Sequence, residues 1–120
     1  MDKRIEGALE IIRSEYQKPL RVTDLAKRVG LSRSHLAFLF KKESGVTFKA
    51  CLREERLNNA VKLLGGDYST VKLASVKQAA YSVGYLSVSS FGRDFKRRFG
   101  ENPSQPQITQ MAQIRHIQEW

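Results

Sequence analysis

The sequence predicts an all-α protein made of two copies of one unit, on three observations. Apolar residues recur at helical spacing, and no segment alternates as a strand would. Val22, Leu25, Ala26, Val29, Gly30 and Leu31 return 54 positions later as Val76, Ala79, Ala80, Val83, Gly84 and Tyr85. Ser32, Leu36, Phe40, Lys41, Lys42 and Gly45 return at an offset of 55 as Ser87, Phe91, Phe95, Lys96, Arg97 and Gly100, so one residue has been added in the second turn. A short apolar helix, a turn containing Gly, and a second helix opened by Ser and closed by basic residues and Gly is how a helix-turn-helix is written. The predicted fold is two helix-turn-helix subdomains joined by a long linker helix, about seven helices in all. The subdomains span 1–46 and 65–106, the linker helix 47–64, and an amphipathic tail 107–120.

Each element has its own signal. Ile5, Ala8, Leu9, Ile12 and Tyr16 share a helical face, Asp2 and Glu6 suit the positive end of the helix, and Pro19 lies beyond its end. Thr23 is the expected cap of a second helix through Val29, and Gly30 supplies the turn. Ser32 caps a third helix whose inward face is Leu36, Leu39 and Phe40, with Lys41 and Lys42 in the last turn and Gly45 as its stop. Thr47 caps a longer stretch to Leu64, ended by Gly65 and Gly66, and the segment to Ala74 reads as a loop. Ser75 with Gln78 forms a capping-box pattern before Ala79, Ala80 and Val83, and Ser87 caps a helix carrying Phe91, Phe95 and Phe99. Beyond Pro103 and Pro106, Ile108, Met111, Ile114, Ile117 and Trp120 recur every three residues, which predicts a terminal helix.

Charge narrows the partners. The 120 residues hold 21 Lys and Arg against 12 Asp and Glu, a formal charge of +9 that attracts polyanions such as nucleic acid or an anionic membrane. One cysteine, Cys51, cannot form an internal disulfide, and the sequence contains no metal-ligand cluster, so no metal or cofactor is expected and a reducing cytoplasm is the natural home. Charges interrupt every apolar run, which argues against a signal peptide or a spanning segment, and the terminal helix has too few charges on its polar face for a membrane-surface protein. Catalysis is not expected either. Cys51 and His35 have no orienting third partner, and the adjacent Glu54 and Glu55 point in different directions on a helix.

The candidate site follows from helix geometry. With Leu36, Leu39 and Phe40 inward, Arg33, Ser34, Ala37, Phe38 and Lys41 form the opposite stripe. The repeat-equivalent stripe is Val88, Ser89, Gly92, Arg93 and Lys96, with Ser90 beside it. The predicted base-facing residues are Arg33, Ser34, Ala37, Phe38, Val88, Ser89, Ser90 and Arg93; Ser32, His35, Lys41, Lys42, Ser87, Lys96 and Arg97 are predicted to meet phosphate. Arg93 suits guanine, because a guanidinium bonds both acceptors of its edge. Phe38 occupies the equivalent place and offers only apolar contact, for example to a thymine methyl, so the halves should read different sequences. Plainer readings stay open: Ser32 and Ser87 as helix caps, His35 as a surface residue, Phe38 packed on the first helix, and the basic run from Lys96 to Arg98 as a solvated face.

The stretch from Val22 to Leu64, with SRSHLAFLFKKESG and REERLNNAVKLL, together with VKQAAYSVGYLSVSSFGRDFKRRFGENPS, resembles the DNA-binding domain of AraC/XylS-type transcriptional regulators over about residues 5 to 104. The resemblance implies two recognition helices in successive major-groove segments on one DNA face, and a cytoplasmic, nucleoid-associated protein. It also implies an activator that presents a surface to RNA polymerase. Departures from the family pattern are Phe38, where a basic or polar residue is usual, a longer loop after Leu64, and Gln105-Pro106-Gln107 in place of an aromatic-Arg pair. Two unlike copies in one chain predict binding to double-stranded DNA as a monomer, unless the chain is part of a longer dimeric protein. The alternative is a basic helical RNA-binding or ribosome-associated protein, against which stand the duplicated unit and the lack of an aromatic stacking platform.

Overall fold

The computed structural model describes residues 1–66 and 75–103, which hold six α-helices and no strand. The predicted loop through Ala74 and the terminal stripe from Ile108 to Trp120 lie largely or wholly outside these residues. The chain divides into two compact units, Met1–Glu55 and Arg56–Trp120.

In the first unit α1 (Lys3–Glu15), α2 (Val22–Val29) and α3 (Arg33–Ser44) pack against one another. Their shared core is Ile5, Ala8, Ile12, Leu25, Ala26, Leu36 and Phe40, completed by Phe48 and Leu52 of α4 (Phe48–Val61). Ile5, Ala8, Ile12, Leu36 and Phe40 are residues that helical spacing placed inward, while Leu9, Tyr16 and Leu39 of the same faces are partly buried around them, and removing this apolar surface from water drives the assembly. The Phe40 and Phe48 rings meet edge-on with centroids 6.3 Å apart. Polar ties set the helix ends. The Arg28 guanidinium makes paired bonds of 2.8 and 2.7 Å to the Glu15 carboxylate, joining the ends of α1 and α2. The Asp2 amide donates to both Glu43 oxygens, at 3.0 and 3.1 Å, and so ties the start of α1 to α3.

Asp2 also caps α1. Its carboxylate accepts from the Arg4 amide at 2.8 Å and from the Arg4 guanidinium, and these bonds, the side-chain ones first, hold its pKa at about 2. With the folded pKa depressed, this contribution is fully present above the ordinary value of 3.8 and is lost as the pH falls through about 2. At α2 the cap expectation is corrected. The helix begins at Val22, one residue before Thr23, and its N-cap is Arg21, whose extended backbone makes no side-chain cap bond. The Arg21 carbonyl accepts from the Leu25 amide at 3.0 Å, so the position is set by burial of Leu25 and Ala26 and not by a hydroxyl. Thr47 caps α4 as expected, its hydroxyl accepting from the Ala50 amide at 3.2 Å. The α-helix stops at Val61, short of the predicted Leu64, and continues as a π-helical turn over Lys62–Gly66. Gly65 and Gly66 hold α-geometry poorly, and the wider turn is where the helix gives way.

In the second unit α5 (Val76–Ser82) packs against the π-helical turn and against α6 (Val88–Phe99). Its buried apolar residues are Leu57, Ala60, Leu64, Ala79, Ala80, Val83, Phe91, Phe95 and Phe99. Ser75 and Gln78 form the reciprocal capping box, with bonds of 3.2 and 2.9 Å. Along α6 the Phe91, Phe95 and Phe99 rings stack in sequence at 5.5 and 4.6 Å, and Tyr85 adds an edge contact to Phe91 at 5.3 Å.

The repeat extends to individual hydrogen bonds. The Gly30 amide bonds Lys27 and the Leu31 amide bonds Ala26, at 3.3 and 2.9 Å; 54 residues on, Gly84 bonds Tyr81 and Tyr85 bonds Ala80, at 3.2 and 3.0 Å. Both turns need a left-handed residue, Gly30 at φ 76° and Gly84 at φ 104°, which a Cβ would strain. From Ser32 and Ser87 onward the bonds repeat at 55: Ser32 caps His35 and Ser87 caps Ser90, and the Gly45 and Gly100 amides close the helices on Lys41 and Lys96. The added residue is therefore Leu86, which is 92% exposed. A pair of substitutions gives the second copy a polar contact that the first lacks. Leu31 and Leu39 pack on the first core, whereas their equivalents Tyr85 and Asp94 are joined by a 2.8 Å hydrogen bond from the phenol to the carboxylate.

Candidate nucleic-acid interface

The outer stripe of α3 is continuous. Arg33, Ser34, Ala37, Phe38 and Lys41 are all exposed, as are Ser32, His35 and Lys42, while Leu36 and Phe40 are fully buried and Leu39 is partly so. Phe38 is 63% exposed and belongs to the outer stripe, which rules out the alternative of packing on α1. The core volume beneath α3 is taken by Leu36 and Phe40, and a side chain two positions from each lies on the far side of the helix. The Lys42 ammonium sits 5.8 Å from the Phe38 ring centroid. Sequence reading placed Lys42 only with phosphate; the i, i+4 spacing of the pair was the signal that these two side chains meet.

On α6 the stripe is less uniform. Ser89, Arg93, Lys96 and Arg97 are exposed, whereas Val88, Ser90 and Gly92 are half-buried. Ser90 is engaged locally: its amide donates to the Ser87 hydroxyl at 3.1 Å, the Ser87 hydroxyl donates back to its oxygen at 2.9 Å, and an Arg93 nitrogen reaches the same oxygen at 3.4 Å. The Arg93 head is thereby drawn toward the start of α6, where a recognition helix meets base edges. A Cβ on Gly92 would meet nothing within 4 Å, so the helix is bare at that place, which is equivalent to Ala37. Arg98 stands apart from its basic neighbours, being half-buried with its guanidinium 4.9 Å from the Phe99 ring centroid.

Each unit thus carries a Ser-capped helix on a fixed turn, with a polar and basic outer stripe ending in two exposed cations. Such a surface offers donors to base edges from its first turns and to phosphate from its last. Nothing comparable exists for catalysis among the described residues. Cys51 is half-buried, and burial pushes its thiol above the ordinary value, so it makes a poor nucleophile. No group of three or more His, Cys, Asp or Glu is placed to hold a metal ion among the described residues, and no helix there is long and apolar enough to cross a membrane.

Comparison with known proteins decides the family. The family described as "Helix-turn-helix domain" matches residues 25–107, which include the second repeated unit and the first from Leu25 onward. The chain belongs to the AraC/XylS-type helix-turn-helix regulators. It is 36% identical over 95 residues to the Msm operon regulatory protein of Streptococcus mutans, covering 79% of this chain and 32% of that protein. It is 37% identical over 103 residues to the HTH-type transcriptional regulator AlkR of Acinetobacter baylyi, covering 86% of this chain and 32% of that protein. The AraC/XylS-type chain thus spans about a third of the length of the curated relatives it matches. The crystal structure of the DNA-binding domain of AdpA, in complex with a target DNA, shares its fold, with a TM-score of 0.75 over 96% of each chain at 22% identity.

Proposed function

We propose that this AraC/XylS-type chain is a sequence-specific, double-stranded DNA-binding module that regulates transcription, with α3 and α6 as its two recognition helices in successive major-groove segments. The observation that carries the reading is the repeat itself: one scaffold, with the same turn, Ser-cap and Gly-stop hydrogen bonds in both copies, presents a polar and basic helix face twice. The formal charge of +9 supports attraction to a duplex, and the AdpA domain of the same fold supports DNA as the partner. In this reading Arg33, Ser34, Ala37, Phe38, Val88, Ser89, Ser90 and Arg93 face bases, while Ser32, His35, Lys41, Lys42, Ser87, Lys96 and Arg97 meet phosphate. Val88 and Ser90, being half-buried, contribute only their outer edges. By family analogy the protein is a cytoplasmic, nucleoid-associated activator that contacts RNA polymerase.

Selection of bound sites from random duplex DNA tests the reading. Because the stripes differ, the consensus should hold two unlike half-sites without a palindrome, spanning about 20 bp, with one chain per duplex in sedimentation. An obligatory symmetric dimer on a palindrome would contradict the proposed monomer. Single-stranded or structured RNA that outcompetes the selected duplex at physiological salt would replace this reading with the RNA-binding one.

Charge makes a separate prediction. Lys96→Ala or Arg97→Ala is expected to weaken selected and random duplexes about equally, and to lower the salt slope of binding by about one unit for each phosphate no longer neutralised. Titration of both duplexes over a range of salt reads the slope directly. A change in base preference with an unaltered slope would move these side chains from phosphate to base edges.

A further inference from the structure

We propose that α3 recognises the C5-methyl group of a pyrimidine through Phe38 and Ala37, and therefore treats thymine and 5-methylcytosine alike; this rests on the reading of α3 as a recognition helix. Phe38 is the largest apolar side chain exposed on that helix, and Ala37 lies exposed beside it. The surrounding stripe of Arg33, Ser34 and Lys41 is polar, so an apolar contact on this face falls to these two residues. The Lys42 ammonium lies 5.8 Å from the ring centroid, within reach of a weak attraction to the ring's quadrupole.

The chemistry of the ring limits what it reads. Thymine and cytosine differ in the major groove by an O4 acceptor against an N4 donor, and by the methyl group at C5. A phenyl ring and a methyl side chain hold neither donor nor acceptor, so they do not distinguish O4 from N4. What they sense is whether C5 carries a methyl, which removes apolar surface from water on contact. The base that carries a C5-methyl on a cytosine edge is 5-methylcytosine. Arg93, at the equivalent place on α6, does the opposite, since it reads acceptors and makes no use of a methyl. The two units then differ in the kind of signal they read, and methylation of a cytosine in the α3 half-site becomes a means of strengthening binding there.

The test uses the selected duplex, with each pyrimidine of the α3 half-site replaced in turn by thymine, uracil, cytosine and 5-methylcytosine opposite its proper partner. Dissociation constants are measured by fluorescence anisotropy at one salt concentration. At one position, loss of the methyl from thymine to uracil should weaken binding about fourfold, the worth of one buried methyl group. There 5-methylcytosine should bind as thymine does, and cytosine as uracil does. Phe38→Ala should shrink the difference to what Ala37 alone supplies, about twofold or less, while preferences in the α6 half-site and the melting temperature stay unchanged; Phe38→Leu, which keeps a larger apolar contact, should retain it. Equal binding of thymine and uracil at every position, by a protein that still prefers its site, overturns the inference and leaves the DNA reading standing. A protein with no duplex preference overturns both.

Discussion

Phe95→Ala is expected to lower the free energy of unfolding by about 3–5 kcal/mol, the cost of emptying a phenyl-sized volume from a close-packed interior. Phe95 is fully buried and lies between the Phe91 and Phe99 rings, with centroids at 5.5 and 4.6 Å, so its removal leaves two aromatic neighbours facing a void. A small domain has only about 5–15 kcal/mol in all, so the variant should melt far lower and lose binding to every duplex together. Urea unfolding followed by circular dichroism reads the loss. Phe38→Ala is the control, because the same truncation at a residue 63% exposed should fall within about 0.5 kcal/mol of the parent. A Phe95→Ala midpoint equal to that of Phe38→Ala would show that the aromatic stack is not the core of this unit.

Arg93→Ala is expected to cost about 1–3 kcal/mol on the selected site, concentrated at one base pair of one half-site, while leaving the unfolding curve unchanged. The side chain is exposed, and its hydrogen bond among the described residues is to the Ser90 hydroxyl oxygen at 3.4 Å, so its removal empties no core volume. Arg93→Lys should recover little of the loss, since a single ammonium cannot make the paired bonds of a guanidinium. Binding to single-base variants of the site, measured beside thermal unfolding, separates specificity from stability. A stable Arg93→Ala protein that binds every variant as the parent does would remove Arg93 from the base-reading set.

These two outcomes differ in how well the sequence foretold them. The core was legible because it is a matter of period: Ile5, Ala8 and Ile12, or Phe91, Phe95 and Phe99, lie on one helix face whatever the helix packs against. The Ser caps and the capping box were legible because each is closed within three residues of chain. The candidate site was legible as a stripe but not as a surface. Val88 belongs to the stripe by spacing and Ser90 lies beside it, yet both are half-buried, and Ser90 is held by Ser87. Arg98 reads as one of three equivalent cations, yet its guanidinium lies against the Phe99 ring.

The sequence by itself determined the helical class, the duplicated unit, its glycine turns and the residues that face inward, since these depend on local geometry and on a period that the chain carries with it. Only the tertiary structure decided the orientation of Phe38, where an aromatic side chain argues for burial and the helical period argues against it. The period prevailed because Leu36 and Phe40 already occupy the interior beneath α3. Tertiary structure likewise decided the start of α2 at Val22, where burial of Leu25 and Ala26 outweighed the cap that Thr23 offered. The Tyr85 and Asp94 bond, standing where Leu31 and Leu39 pack in the first copy, was also settled there. Competition between a local preference and the volume left inside the fold is settled only when the other helices are in place.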